Sequence, residues 1–307
     1  MVKKEFTFPN SDKNVIHVYQ WIPTQEAKGI VQIAHGMAER ASRYDYFASV
    51  LVKEGFIVYA HDHRGHGRSA TSIEDLGYIS DNDGFSDMVM DMKSVTDIAK
   101  MENPNLPIIL FGHSMGSFLA QRYIQLYGNE IAGVILSGTN GKQKSLVNVG
   151  ILLSKIIIAF KGRRASGKRL DKLTFGHYNH RFKPNKTKFD WLSRDEEEVR
   201  RYVEDPYCGT LFPASFFHDL YKGTKMIHQK DNLAQIPKGL PIYIFAGDED
   251  PVGEYGKGVI SLYKTYESLG IRNVSYKLYS GGRHEMLNEI NKDEVIRDVI
   301  AWITKII

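Results

Sequence analysis

Four short apolar runs in the first half of the chain constrain its fold more than any other feature. They are rich in valine and isoleucine and cover residues 29–35 (GIVQIAH), 55–61 (GFIVYAH), 107–113 (PIILFGH) and 132–138 (AGVILSG). Continuous apolar runs of this length are typical of strands buried on both faces of a parallel sheet. Between them, residues 42–55 and the apolar positions from Phe85 to Ile98 follow helical spacing. This alternation predicts an α/β fold with a doubly wound, mostly parallel sheet.

The same alternation returns near the C-terminus after an interruption. Strand patterns cover residues 241–247 and 274–282, and an amphipathic helical pattern covers 293–307. Residues 140–234 lack the alternation, so we interpret them as an inserted, mostly helical cap, or lid. The core is then 1–139 together with 235–307. At the N-terminus, a strand pair with a turn at residues 9–12 is expected at the sheet edge.

Composition limits the location and the partners of the protein. The first residues contain lysines without an apolar stretch behind them, and Cys208 is the only cysteine. Both observations favour the cytoplasm. The apolar segment 146–160 is interrupted by Asn148 and Lys155 and is too short to span a membrane. A net charge of +4 is too small to indicate nucleic-acid binding.

Positive charge is concentrated in the predicted cap. Residues 141–192 contain 13 lysines and arginines but only two acidic residues, Asp171 and Asp190. Together with the apolar segment, this bias predicts peripheral contact with a membrane or a lipid aggregate. A solvated helix face is the alternative interpretation.

A candidate nucleophile lies where the third buried strand ends. Ser114 stands in the sequence GHSMGS, between that strand and a helical pattern over residues 117–128. A G-x-S-x-G sequence at a strand-to-helix turn is typical of a nucleophile elbow, in which a tight turn exposes the serine oxygen above the sheet. The helix behind it directs its N-terminus at a developing oxyanion.

A nucleophilic serine needs a base and a group that orients the base, and both candidates follow in the required order. Asp250 comes just after the strand at 241–247, and His284 just after the strand near 274–279. Both would project from the carboxyl edge of the sheet, where open α/β sheets bind ligands. Asp248 and Glu249 compete for the acid role. We favour Asp250 because Pro251 holds the preceding residue extended.

Two backbone amides are candidates for an oxyanion hole. The amide of Met115 follows the nucleophile, and the turn at His35 and Gly36 would direct the amide of Met37 at the substrate. The histidine-rich loop HDHRGHGRS, residues 61–69, is similar to a metal-binding tract. Its glycines after a strand favour a structural role beneath the site, and we predict no metal.

Five motifs in this order resemble the monoacylglycerol lipase and lysophospholipase branch of the α/β-hydrolases, which is grouped with serine aminopeptidases. They are HGMAERASRY, DHRGHGRS, GHSMGS, GDEDPV and GGRHEMLNE. The resemblance implies Ser114, Asp250 and His284 as catalytic residues and Met37 and Met115 as oxyanion amides. Ala38 and Arg40 replace a glycine and a histidine of the usual first motif. Glu39 matches it, and the resemblance implies a supporting hydrogen-bond role for Glu39.

The leading hypothesis is a serine hydrolase that cleaves esters of single long-chain acyl lipids, such as monoacylglycerols or lysophospholipids, without a cofactor. An apolar cap tunnel would select long chains. Its candidate lining residues are Ile151, Leu152, Ile156, Phe216, Phe217 and Leu220. For any single one of them, an ordinary place in the cap core is the favoured interpretation.

Three alternatives use the same fold. An aminopeptidase or amidase would need carboxylates for a substrate ammonium, and residues 194–205 (RDEEEVRRYVED) could supply them. A short-chain carboxylesterase would need only the triad. A binding protein would keep the fold without the chemistry. Epoxide hydrolases and haloalkane dehalogenases share the fold but use an aspartate nucleophile, so Ser114 argues against them.

Overall fold

An eight-stranded sheet forms the centre of the molecule. The computed structural model describes residues 1–10, 14–141 and 146–307. The strands are β1 (Val2–Pro9), β2 (Val15–Ile22), β3 (Gly29–Ala34), β4 (Phe56–His61), β5 (Ile108–His113), β6 (Gly133–Ser137), β7 (Ile242–Gly247) and β8 (Val274–Tyr279). Their order in the sheet is β1-β2-β4-β3-β5-β6-β7-β8.

Strands β3 to β8 are parallel to one another, whereas the pairings of β1 with β2 and of β2 with β4 are antiparallel. The predicted α/β sheet and its antiparallel N-terminal edge are therefore confirmed. The predicted turn at 9–12 lies partly outside the described residues. Every residue of β3 to β7 is buried, which explains why these strands read as continuous apolar runs.

Helices cover both faces of the sheet. The helices are α1 (Asp45–Lys53), α2 (Gly84–Glu102), α3 (Met115–Tyr127), α4 (Leu146–Lys161), α5 (Lys168–Phe175), α6 (Glu196–Glu204), α7 (Ala214–Met226), α8 (Lys230–Ala234), α9 (Lys257–Ser268) and α10 (Lys292–Ile306). Alternate strand residues separate into two apolar cores. One is shared with α2, α3, α7 and α9, and the other with α1 and α10.

Five helices, α4 to α8, lie between the end of β6 and the start of β7, and the described part of this segment contributes no strand to the sheet. This arrangement is compatible with the predicted cap at 140–234, whose exact boundaries stay a prediction. Lys142 and Lys144, counted above among the basic residues, lie outside the described residues. In the ranges that the structure describes, no helix is long and apolar enough to cross a membrane.

Four histidines are buried beneath the carboxyl edge of the sheet: His35, His61, His63 and His66. Neighbouring rings are in contact, with centroids 4.3 Å apart for His35 and His63 and 4.5 Å apart for His61 and His63. The nitrogen Nε2 of His35 accepts a hydrogen bond from the His63 amide at 3.0 Å. Burial lowers the pKa of His35, His61 and His66 to about 3, and that of His63 well below its usual value. The cluster is therefore neutral at pH 7.

We expect these histidines to make the fold sensitive to acid. Their native pKa values lie below the unfolded value of about 6.5, so the unfolded chain binds more protons as the pH falls below 6.5. Each histidine should then cost about 1.4 kcal/mol of unfolding free energy per pH unit between roughly pH 6 and 3.

His61→Leu tests this expectation, because neither ring nitrogen of His61 has a hydrogen-bond partner among the described residues. Urea unfolding across this pH range should show stability at pH 7 equal to or above that of the wild type, with a shallower loss in acid. The same acid slope in both proteins would contradict the expectation.

Candidate active site

Ser114 lies at the sharp turn between β5 and α3. Its backbone has φ 51° and ψ −118°, a conformation that costs a non-glycine residue about 1–3 kcal/mol. The Ser114 amide donates to the carbonyl of Ser137 at the end of β6, at 2.9 Å, which fixes the turn against the neighbouring strand. The serine side chain is half-buried and lines a cavity above the sheet.

The two glycines around Ser114 are required by close backbone contacts. A Cβ atom on Gly112 would lie 2.5 Å from the Gly116 carbonyl oxygen, and one on Gly116 would lie 2.1 Å from the Ala34 carbonyl oxygen. No side chain fits at such distances. The turn therefore has the geometry that the sequence predicts for a nucleophile elbow.

Asp250 and His284 meet at the carboxyl ends of β7 and β8. Both carboxylate oxygens of Asp250 lie 3.0 Å from Nδ1 of His284, and both side chains are buried. The loops that carry Asp250 and His284 approach each other closely because Gly247 has no side chain. A Cβ there would lie 1.8 Å from the Gly282 carbonyl oxygen. Asp248, the competing candidate, instead accepts a hydrogen bond from the Gly281 amide at 2.6 Å.

The environment of His284 keeps its proton affinity high. Burial is the largest single effect and disfavours the imidazolium. The charge and hydrogen bond of Asp250, together with the charges of Glu285 and Glu39, favour it, and the net result is a raised pKa of His284. Because Nδ1 faces Asp250, Nε2 is left to act on a substrate. This arrangement suits a general base that must accept a proton and hold it.

The loop after β3 brings a second set of backbone groups to the cavity. Met37 lines the cavity beside Ser114 and Met115. Glu39, which is buried, accepts a hydrogen bond from the Gly36 amide at 2.6 Å. Arg43 donates to Glu39 at 2.6 Å and, through both terminal nitrogens, to Glu285 at 2.8 and 2.7 Å. A buried ion-pair network thus links the loop after β3 to the loop that carries His284.

One cavity of about 340 Å³ contains all the predicted site residues except Asp250, which lies behind His284. Most of its wall comes from the segment between β6 and β7. The apolar and aromatic members there are Phe175, Tyr178, Phe189, Trp191, Leu192, Tyr202, Leu211, Leu220 and Tyr221. A mostly apolar cavity lined by a few polar groups is typical of a small-molecule site.

The predicted lining of the acyl tunnel is largely wrong. Of the six candidates, only Leu220 lines the cavity. Phe216 and Phe217 are fully buried in the main core, and Ile151 packs against it, whereas Leu152 and Ile156 are exposed. The apolar side chains of α4 and α7 could not be assigned to core, cavity or surface from their spacing alone.

The sequence did not identify most of the cavity wall, and three of the missed residues are Trp191, Asp171 and Lys188. The Trp191 ring packs against the His284 ring with centroids 5.0 Å apart. Asp171 and Lys188 bring opposite charges to the wall, and burial raises the pKa of Asp171 although Lys188 lowers it. The acidic helix α6 contributes only Tyr202 to the wall, and its glutamates pair with neighbouring cations. The inserted segment lacks the strand–helix alternation from which the positions of side chains elsewhere in the chain could be predicted.

The histidine-rich loop after β4 is held by buried polar contacts, and its role beneath the site stays a prediction. Asp62 accepts from the amides of Ala41 and Arg68 at 2.7 and 2.8 Å, and Arg64 forms a buried ion pair with Asp91 at 2.7 Å. Within the described ranges, no group of three or more His, Cys, Asp and Glu side chains is placed to hold a metal ion.

Comparison with known proteins gives a consistent result. The family model described as serine aminopeptidase, S33, matches residues 25–291. A monoacylglycerol lipase of Mycolicibacterium smegmatis is 31% identical over 292 residues, which is 92% of this chain and 90% of the relative. Human monoglyceride lipase is 24% identical over 302 residues, covering 96% of this chain and 89% of that protein.

Among solved structures, a thermostable carboxyl esterase from Bacillus coagulans in complex with glycerol superimposes with a TM-score of 0.92. It is 30% identical, and the alignment covers 100% of this chain and 99% of that one. The family match over most of the chain, the full-length relatives and this superposition agree. The chain therefore belongs to the serine aminopeptidase S33 family of α/β-hydrolases, and it is an ester hydrolase.

Proposed function

We propose that the protein hydrolyses carboxylic esters of single long-chain acyl lipids, monoacylglycerols or lysophospholipids, through an acyl-enzyme on Ser114. One observation carries the proposal. Ser114 and His284 both line a mostly apolar cavity of about 340 Å³, and His284 is hydrogen-bonded to Asp250. A nucleophile, an oriented base and a long apolar wall are the parts that cleavage of a lipid ester needs.

In the proposed reaction, His284 takes the Ser114 proton as the serine oxygen attacks the ester carbonyl. Asp250 holds the imidazole in the required tautomer and stabilises the imidazolium. The amides of Met37 and Met115 donate to the tetrahedral oxyanion. Met115 begins α3, and the first amides of a helix have no partner within it. His284 then protonates the leaving alcohol, and water activated by His284 releases the acid. The reaction uses no cofactor.

The aromatic and aliphatic wall supports a long acyl chain over a short one, because each buried methylene contributes about 0.8 kcal/mol. The relatives support a small polyol as leaving group. The Mycolicibacterium protein is named a monoacylglycerol lipase, and the Bacillus esterase structure holds glycerol.

A second candidate, hydrolysis of aminoacyl amides or peptides, has one observation in its favour. Asp171 presents a carboxylate to the cavity and could bind a substrate ammonium. Turnover of monoacylglycerols, lysophospholipids, short esters and aminoacyl amides by the purified protein separates the two candidates. A rate on aminoacyl amides above that on every ester would favour the second candidate.

The triad assignment is tested by serine-directed labelling. A fluorophosphonate should label the wild type and leave Ser114→Ala unlabelled. Asp250→Asn should lower kcat by about 10⁴, as expected when the base is left in the wrong tautomer. Asp248→Asn is the matched control, since Asp248 binds a loop amide instead, and its kcat should stay within a few-fold. Labelling that survives Ser114→Ala, or a larger loss in Asp248→Asn, would contradict the assignment.

The pH dependence of kcat/KM reports the protonation state of the general base. Since only neutral His284 accepts the serine proton, kcat/KM should fall as the pH drops through the pKa of His284. Asp250 raises that pKa, so the acid limb should lie above the ordinary histidine value of about 6.5. A limb well below pH 6.5 in the wild type would contradict the role given to Asp250.

We further propose that the exposed side of α4 contacts lipid. Val149, Leu152, Ile156 and Phe160 are exposed to 52%, 61%, 45% and 85% and follow one helix face. The contribution of basic side chains to lipid binding should be smaller than the sequence suggests, because several of those between β6 and β7 are neutralised by ion pairs. The ion pairs are Arg163 with Asp219, Arg164 with Asp75, Arg181 with Glu249 and Lys186 with Glu196.

Partition onto phosphatidylcholine vesicles tests this contact. A Leu152→Ser/Ile156→Ser/Phe160→Ser variant should bind vesicles at least tenfold more weakly, because it loses most of the apolar stripe. It should keep its rate on a water-soluble ester. Met101→Ser removes another exposed apolar side chain, at the end of α2, and serves as control. Equal partition of the stripe variant and the control would contradict the contact.

A further inference from the structure

The loop after β3 contains a residue in an unfavourable conformation. Ala38 has φ 55°, in the left-handed region that favours glycine. It stands where the first motif usually has a glycine and directly follows Met37, whose amide is the proposed oxyanion donor. A non-glycine residue keeps such a conformation only where its surroundings hold it.

The segment between β6 and β7 supplies what holds Ala38. The hydroxyl of Tyr202, on α6, donates to the Ala38 carbonyl at 2.9 Å, and the Gly209 amide donates to the same oxygen at 3.0 Å. Tyr202 is buried, so its hydroxyl contact is shielded from water. Both lone pairs of one carbonyl are thus bound by groups distant in sequence.

The same small cluster also holds the loop that carries His284. Leu192, Tyr202 and Cys208 form an apolar core of their own, against which Phe189 and Trp191 pack. The carbonyl of Leu192 accepts from the Glu285 amide at 2.7 Å, and that of Trp191 from the His284 amide at 3.4 Å. We call Phe189, Trp191, Leu192, Tyr202 and Cys208 the brace cluster.

Arg43 connects the two loops behind the brace cluster. The Tyr202 ring lies over the Arg43 guanidinium, 4.8 Å from its central carbon. That guanidinium pairs with Glu39 in one loop and with Glu285 in the other. Tyr202 therefore touches the oxyanion loop through its hydroxyl and the link between both loops through its ring.

We propose that Tyr202 is a positioning residue for catalysis: its hydroxyl holds Ala38 in the left-handed conformation and so keeps the Met37 amide directed at the oxyanion. The proposal rests on the proposed ester hydrolysis at Ser114. It makes the inserted segment a structural part of the oxyanion hole as well as a wall for substrate. Without the hydroxyl, only the Gly209 amide holds the Ala38 carbonyl, so Ala38 is freer to relax toward negative φ and turn the Met37 amide away.

Tyr202→Phe tests the proposal because it removes one oxygen and keeps the ring over Arg43. On a soluble ester, kcat should fall by about 10- to 100-fold with KM within twofold, since the contact acts on the transition state. Affinity for an alkylboronic acid, which mimics the tetrahedral intermediate, should fall by the same factor. Affinity for the fatty-acid product should not change. Tyr207→Phe removes an equivalent oxygen from a residue outside the cavity and is the matched control.

A second substitution separates positioning from general loosening. Glycine adopts φ 55° without strain, so Ala38→Gly combined with Tyr202→Phe should recover most of the lost kcat. If Tyr202→Phe alone does not fold, the kcat of the double variant is compared with that of the wild type instead. The proposal is overturned if Tyr202→Phe loses no more kcat than Tyr207→Phe, or if the loss is undiminished in the Ala38→Gly background.

Fluorophosphonate labelling and ester turnover of the wild type distinguish failure of the positioning role from failure of the proposed function. If the wild type neither labels nor turns over any ester, the proposed function fails. If the wild type is active and Tyr202→Phe matches its control, only the positioning role fails.

Discussion

The absence of a side chain at Gly116 allows the rest of the site to form. The first turn of α3 packs so closely on the end of β3 that a Cβ at this position would lie 2.1 Å from the Ala34 carbonyl oxygen. This contact sets Ser114 next to the loop that begins at His35. The proposed nucleophile and the proposed oxyanion amides therefore share one edge of the sheet, because two neighbouring parallel strands, β3 and β5, end together there.

Residues that follow a buried strand could be predicted from the sequence. Ser114 directly follows β5, and Asp250 and His284 lie in the loops after β7 and β8, where they are in hydrogen-bond contact. Their roles in catalysis remain the proposal. The preference for Asp250 over Asp248 came from Pro251, and the two carboxylates do have different partners.

Residues between β6 and β7 could not be predicted in the same way. Helical spacing shows which apolar side chains share a helix face, but it does not show whether that face is directed at the core, the cavity or water. Phe216 and Phe217 belong to the core, and Leu152 and Ile156 are exposed, although all four were candidates for the cavity wall. Trp191 lies in a short loop and Tyr202 in an acidic helix. The sequence pattern of neither element indicates that these side chains contact the site. The basic bias of the segment also overstated its charge, since ion pairs neutralise part of it.

In the proposed mechanism, Ser114 forms a covalent intermediate whose oxyanion is held by the amides of Met37 and Met115. A crystal structure of the protein inactivated by a long-chain alkylphosphonate tests this directly. We expect phosphorus bonded to Oγ of Ser114, its oxygen about 2.7–3.1 Å from both amide nitrogens, and the alkyl chain along the aromatic wall. A phosphonyl group on another residue, or a phosphonyl oxygen outside hydrogen-bond distance of the Met37 amide, would contradict it.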